Sequence, residues 1–354
     1  MEIGKPAAGL LLLFVLIFFA TFSSFGSLRP AELLASVIGS DSGRILDRVA
    51  KKDSRRESVV FLGDIMLARD VERRLARMDT THPLLMLQNT LNAKVVVGNF
   101  EAAIPEVHKP TPDFGMSFSV IPANLEVLVK GGLTHLSLAN NHTYDHGVSA
   151  YQHTVAQLEL YGFKALGHPR IVSTSSIAYF DVDDQKVALI AINATYGYPS
   201  PSAWQPVIEK AVKSSDLQIV YIHWGEEYVL THNIAQENFA KALAEAGIDL
   251  IVGHHPHVVQ DIARYGDTLV FYSLGNFIFD QYFSDEVQEG LSIELKRSQN
   301  QWSIVLNPVE SKSIRVQPRL MEGDARAAFL NSLANRSDVE LFEEITAGEV
   351  SLQF

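Results

Sequence analysis

From Ser58 onward the chain alternates short apolar runs with polar stretches. The runs at 59–62, 94–97, 135–139, 186–192, 218–222, 250–252 and 268–272 are each of strand length and rich in Val, Ile or Leu. Helical patterns fall between several of them. Residues 147–163 space Tyr151, Val155, Leu158 and Tyr161 mostly three or four apart, and 233–248 put Ile234, Phe239, Leu243 and Ile248 on one broad face. The repeated unit is strand, polar loop, helix, which predicts an α/β layered domain. Beyond it, 290–310 read as a two-strand hairpin and 323–336 as a helix. The chain shows no internal repeat and no low-complexity tract.

The N-terminal region has a different pattern. Residues 6–28 are 23 consecutive positions without a charged side chain, and a membrane-spanning helix needs about 20. The competing reading is a cleaved signal peptide, with small residues around Ser24 and Gly26. The uncleaved anchor is the expectation adopted, with the main body on the far side of the membrane. Residues 29–57 read as a short helix plus polar linker, 58–307 as the main domain, and 308–354 as an extension packed on it.

Composition narrows the chemistry. The 354 residues carry 41 acidic and 29 basic side chains, a net charge of −12. No basic stripe of useful length occurs, so a nucleic-acid partner is not expected. There is no cysteine, which excludes disulfides, thiolate ligands and a cysteine nucleophile. Any metal must be held by nitrogen and oxygen.

The candidate chemistry collects just past the ends of the apolar runs, where α/β domains build sites. Asp64 follows VVFLG, Glu101 follows VVVGNF, and Asn140, Asn141 and His142 follow LSLA. His223 follows IVYI, and His254, His255 and His257 follow LIVG. Each alone has a bland explanation: Asp64 as a turn or cap residue, His223 as a core histidine, Glu101 as a surface carboxylate. Their coincidence is what points to a site. His82, His108 and His232 lack this setting and read as ordinary histidines. His255 and His257 flank Pro256, which fixes the backbone between them. His254 adjoins His255, and neighbouring side chains of an extended segment point apart, so it reads as a supporting residue at best. Two carboxylates, an amide and three imidazoles suit Mn²⁺, Fe²⁺ or Zn²⁺. Six ligands exceed one tetrahedral zinc and make a reasonable set for two ions sharing a carboxylate. Asp145, three residues after His142, is a candidate partner for that ring.

These blocks resemble the calcineurin-like metallophosphoesterases. More closely, FLGDIML, NFE, LANNHTYDHG, YIHWGEEY, GHHPHVVQ and YSLGNFIFD are similar to the bacterial capsule-synthesis CapA branch, also found in poly-γ-glutamate synthesis, over about residues 58–285. The resemblance implies a four-layer α-β-β-α sandwich with a two-metal cleft at the strand ends. It implies Asp64, Glu101, Asn141, His223, His255 and His257 as metal ligands, Glu101 bridging, and His142 as proton donor to the leaving group. Met66 stands where the family's first motif carries histidine, so one metal position lacks a ligand. Asn276 lies in a recurring block without an assigned role. Asn140, His254, Trp224 and Asn276 are the expected supporting or substrate-facing residues. Trp224, with Tyr144, Tyr196 and Tyr198, either lines the cleft or packs the core.

The function implied is a hydrolase-like protein of the bacterial cytoplasmic membrane, single-pass and with its main domain extracytoplasmic. It would act on a phosphoester or an amide bond in an anionic capsule or poly-γ-glutamate-type polymer. The alternative is a non-catalytic accessory subunit of the membrane synthase that makes the polymer. Partners on either reading are the membrane and the synthase subunits.

Overall fold

Successive residues of one strand belong to different cores, and that alternation builds the fold. The computed structural model describes residues 55–77 and 83–353. The first sheet starts with β1 (Arg56–Ile65), β2 (Ala93–Phe100), β3 (His135–Ser137) and β4 (Lys164–Leu166). The second is built from β5 (Ile177–Val182), β6 (Gln185–Asn193), β7 (Leu217–His223), β8 (Leu250–His254), β9 (Ile262–Tyr265) and β10 (Thr268–Phe271). The chain then returns to the first sheet with β11 (Asn276–Ile278), β12 (Glu289–Ser298), β13 (Gln301–Glu310), β14 (Arg319–Leu320) and β15 (Glu349–Leu352). The strand orders are β14-β13-β12-β1-β2-β3-β4, with β11 on β1 and β15 on β13, and β5-β6-β7-β8-β10-β9.

Val59 and Phe61 of β1 share a core with Leu189 and Ala191 of β6, Tyr221 of β7 and Val252 of β8. This is the layer between the sheets. Val60 and Leu62 face the other way, onto Val71, Leu125, Leu128 and Leu158. Those four lie on, in order, α1 (Arg69–Leu75), α2 (Leu125–Lys130), again α2, and α3 (Gly147–Leu160). On the far side, Ile190, Val220, Ile222 and Ile251 pack against Trp204, Val207, Phe239 and Leu243, carried by α4 (Pro201–Val212) and α5 (Ile234–Glu245). The order is therefore helix, sheet, sheet, helix. Both faces of each central strand are buried, which is why those strands read as continuous apolar runs rather than as alternating ones.

The C-terminal part closes the inter-sheet layer. Gln299 and Asn300, at φ 50° and 66°, turn β12 into β13, the pattern of a two-residue type I′ hairpin. β13 runs through the expected boundary at 307/308, and both β14 and β15 pair with it. Phe329, Leu330 and Leu333 of α6 (Gly323–Arg336) and Ile345 of α7 (Phe342–Ala347) enter the inter-sheet core.

One irregularity positions the site. β1 and β2 pair in register up to Phe61 with Val97, then resume at Asp64 with Asn99, so β1 has one residue more between the two pairs. This is a bulge. Strict alternation from Leu62 would send Asp64 outward, toward the helices. The extra residue turns it to the side that Asn99 faces, between the sheets.

Three expectations are corrected here. The single-pass membrane location is not supported: no helix among the described residues is long and apolar enough to cross a membrane. The longest of them, α3 and α6, have 14 residues each, against the roughly 20 a span requires. Residues 6–28, on which that expectation rested, lie outside the described residues, as do residues 29–54 and His82. Ile234 is 67% exposed; it opens α5 five residues before Phe239, and five residues are 140° from a whole turn of helix. Trp224 is fully buried and donates Nε1–H to the Tyr272 carbonyl at 2.8 Å, so it packs the outer core beneath α5 and does not line a cleft.

Gly63 sits within the bulge, and a Cβ there would lie 1.8 Å from the Gly275 carbonyl oxygen. That atom is backbone and cannot swing aside. Gly63→Ala is expected to lower stability by about 3 kcal/mol or more, measured by urea unfolding. A variant that unfolds at the wild-type midpoint would show that the β1–β11 approach is not as close as described.

Candidate metal centre

The two sheets bring their polar strand ends together from opposite sides. In the first sheet, Asp64 is flanked in register by Asn99 of β2 and by Asn276 of β11, and Glu101 lies two residues past Asn99 on the same side. In the second, His223 and His254 are register neighbours at the ends of β7 and β8. Tyr221 and Val252, two residues earlier on these strands, face the first sheet, so both histidines do too.

His255 and His257 follow in a turn with φ of 104° and 60°. Non-glycine residues rarely adopt such angles, at a cost of about 1–3 kcal/mol each. The distortion ends the alternation of β8 and lets His254, His255 and His257 converge. His254, expected as a supporting residue at best, already faces the cluster by the alternation of β8: its Nδ1 lies 3.5 Å from Asp64 Oδ1 and 2.7 Å from His223 Nδ1.

Asp64 is the hub. It accepts Asn99 Nδ2–H at 2.8 Å and the His255 backbone N–H at 3.1 Å, and His257 Nδ1 is 3.3 Å away. Burial alone would raise its pKa, but the hydrogen bond and charge of His257, the charge of His254 and the Asn99 amide hold it well below the usual carboxylate range. Glu101 goes the other way. Full burial, then the neighbouring Asp64 charge, push it well above its ordinary value of 4.5. Two buried carboxylates this close do not both ionise, so the metal-free cluster keeps a proton on Glu101.

The amide and imidazole groups complete the ring. His223 Nε2 is 2.8 Å from Asn141 Oδ1. An amide oxygen only accepts, so His223 carries its hydrogen on Nε2 and accepts on Nδ1 from His254. Asn140 holds the loop: its Oδ1 accepts the backbone N–H of His142 and Thr143, and its Nδ2 donates to Asn99 Oδ1. Asn276 Oδ1 is 3.0 Å from His257 Nδ1 and orients that ring. His142 Nδ1 donates to Asp145 Oδ2 at 2.9 Å, and its ring stacks on Phe118 at 4.1 Å. The same Asp145 oxygen accepts the Phe118 backbone N–H.

This donor set fits divalent ions. Three groups among the described residues have ligand atoms within 4.8 Å of one another: Asp64–His223–His254, Glu101–His223–His255 and Asp64–Glu101–His257. Glu101 Oε1 and His255 Nδ1 are buried without any hydrogen-bond partner, and such an atom costs about 1–3 kcal/mol unless something fills the space beside it. Met66 does not contribute. It is buried in the helix-side core, and its sulfur accepts the Ala68 N–H at 3.0 Å. Sequence reasoning missed Asn99, whose Nδ2 also lies 3.1 Å from Glu101 Oε2 and 3.3 Å from His223 Nδ1. Its position two residues before Glu101, hence on the same face, was the available signal. His108 and His232 lie elsewhere, bonded to Ser119 and to Asp261. Tyr198 packs against Phe239.

Fold and cluster define a two-sheet α/β protein with a buried carboxylate–imidazole site able to hold metal. The sequence profile described as "Bacterial capsule synthesis protein PGA_cap" matches residues 58–281. "PGA biosynthesis protein CapA" of Bacillus subtilis (strain 168) is 31% identical over 241 residues, 63% of this chain and 63% of that one. "Capsule biosynthesis protein CapA" of Bacillus anthracis is 31% identical over 255 residues, 66% of this chain and 62% of that one. The chain thus spans less than two thirds of the length of these relatives. Among solved structures, a phosphatase of Mycoplasma pneumoniae aligns with a TM-score of 0.42 at 17% identity, over 75% of this chain and 92% of that one. The chain belongs to the bacterial capsule synthesis family PGA_cap, which bears out the resemblance seen in its motifs.

Two pH-linked outcomes follow from the metal-free cluster. Burial pushes His254 down to about 3 and His255 down to about 4, and burial with its neighbours puts His223 well below 6.5. Between those values and 6.5 the unfolded chain binds these protons and the folded one does not, so stability falls as pH drops through that window. Glu101 opposes this, since its raised pKa favours the folded state below it, but three histidines outweigh one carboxyl. The urea midpoint of chelator-treated protein is expected to be lower at pH 5 than at pH 7; an equal or higher midpoint would contradict it. Glu101→Gln removes a buried ionisable group and keeps its shape. It is expected to leave the metal-free melting temperature unchanged or higher while abolishing the rise produced by added Mn²⁺.

Proposed function

We propose that the chain is a metal-dependent hydrolase acting on a phosphoester or an amide bond in a capsule- or poly-γ-glutamate-type polymer. The observation that carries this reading is the buried, unpartnered Glu101 Oε1. It lies 3.9 Å from both His142 Nε2 and His257 Nε2, in a cluster where His254 Nε2 and His255 Nδ1 are likewise buried without a partner. Two ions of the Mn²⁺, Fe²⁺ or Zn²⁺ class would be held as follows. Glu101, Asn141, His223 and His255 form one position; Asp64, Glu101 and His257 form the other, the one left short by Met66. When bound, such ions lower the pKa of water and stabilise charge on the group being transferred.

The chain's own contribution is the proton donor. Asp145 accepts His142 Nδ1–H, so a proton passed to a leaving oxygen or nitrogen comes from Nε2 of the doubly protonated ring, which is left neutral with its hydrogen on Nδ1. The stack on Phe118 and the shared Asp145 oxygen fix the ring plane. Asp145 is thus a positioning residue, and His142 is the group that meets substrate.

A second reading, a non-catalytic accessory component of a polymer synthase, is favoured by one observation: Met66 is turned into the core and leaves one metal position with three protein ligands.

The two readings separate on one comparison. His142→Ala is expected to lower Mn²⁺-dependent hydrolysis of bis-para-nitrophenyl phosphate by about a hundred- to ten-thousandfold, with metal content by elemental analysis unchanged. His255→Ala is expected to lose metal. If the wild-type chain binds metal and gains melting temperature without turning over any ester or γ-glutamyl amide, the accessory reading stands and the hydrolase reading falls.

A further inference from the structure

One cation at the edge of the metal centre has no assigned task. Arg170 is exposed, and among the described residues it forms no ion pair. Its guanidinium lies 5.1 Å from the Tyr196 ring centroid and 5.9 Å from that of Tyr144. The Tyr196 hydroxyl donates to the Asn141 carbonyl at 2.8 Å, the backbone of a candidate metal ligand. Arg69, another cation beside the cluster, is already committed: it pairs with buried Asp280 and lies over Phe118.

The loop carrying Arg170 is built rather than loose. His168 Nδ1 accepts the Arg170 backbone N–H at 3.0 Å, so its hydrogen is on Nε2, which bonds the Tyr144 hydroxyl at 2.8 Å. The Pro169 carbonyl accepts Asn193 Nδ2–H at 2.8 Å, and Asn193 is the register neighbour of His223. Gly167, at φ 83°, lies so close to the strand ends that a Cβ there would meet those of Ala139 and Ala191 at 2.8 Å. The loop is therefore tied to the strand of one candidate ligand, and the arginine, through Tyr196, to another. Burial, then the Arg170 charge, lower the His168 pKa, so at neutral pH the guanidinium is the positive charge this corner presents.

We propose that Arg170, held on the Tyr196 and Tyr144 rings, is a carboxylate-binding subsite. It holds a non-reacting carboxylate of an anionic polymer while a neighbouring bond lies at the metal centre. A guanidinium presents a planar fork of donors that matches a carboxylate, and the two rings beside it restrict where it can sit. The inference rests on the hydrolase reading for what lies at the metal centre, but the binding it describes can be measured separately.

The test is calorimetric titration of the full, Mn²⁺-loaded chain with a γ-linked glutamate pentamer, the same pentamer with its carboxyls amidated, and inorganic phosphate. Arg170→Ala is expected to weaken the free pentamer by about ten- to a hundredfold, with Arg170→Lys between the two. The amidated pentamer is expected to bind weakly and equally to all three proteins. The subsite is overturned if Arg170→Ala titrates like wild type, if wild type binds the two pentamers alike or neither, or if only phosphate is weakened. Arg170-dependent pentamer binding by a chain without hydrolytic turnover would sink the hydrolase reading and keep the subsite. A turning-over chain indifferent to Arg170→Ala would do the reverse.

Discussion

The site depends on the placement of the Asp64 carboxylate between the two sheets. A buried carboxylate survives only where donors surround it. Here they come from both layers: Asn99 from the first sheet, and the His255 amide, His254 and His257 from the second. The carboxylate is thus a polar tie between two sheets that otherwise meet through apolar side chains. Its charge also explains its neighbours. Once Asp64 is ionised, Glu101 cannot readily be, and the cluster has a proton that a cation would displace.

Around that tie the structure divides its work. The apolar layers supply stability and rigidity, and the strand ends carry strain and unsatisfied atoms. The left-handed backbone at His255 and His257, the unpartnered Glu101 oxygen and the unpartnered His255 nitrogen all lie within one cluster. Several departures from the local rules of folding gather at this one cluster, as expected when a site is built for a ligand the polypeptide itself does not supply. The Phe118–His142–Asp145 arrangement is the opposite case: the Asp145 oxygen takes both the His142 Nδ1 and Phe118 backbone hydrogens and fixes one ring beside the unsatisfied atoms.

Much of this was legible in the chain. Each of the seven apolar runs is a strand, the helices at 147–163 and 323–336 are present, and the polar residues lie at strand ends, because burial on both faces writes itself into local composition. The extra pairings β4, β5, β9 and β11 were not legible; segments of three to six residues carry too little periodicity, and their existence depends on what lies beside them. Ile234 was misplaced because its five-residue spacing to Phe239 puts it about 140° around the helix. Asn99 was overlooked because an amide next to a phenylalanine has no signature of its own.

What the sequence determined by itself is the inventory: which residue types end which strands, the absence of sulfur ligands, and the motif order that marks the family. The tertiary structure decided direction. A bulge of one residue turned Asp64 inward, a left-handed turn brought His255 into the cluster that His254 already faced, Trp224 went to the outer core, and the loop after β4 set Arg170 by the Tyr196 and Tyr144 rings. Periodicity is a property of a single segment and can be read along it. Register, bulges and the approach of one sheet to another are relations between segments far apart in the chain, and only packing fixes them.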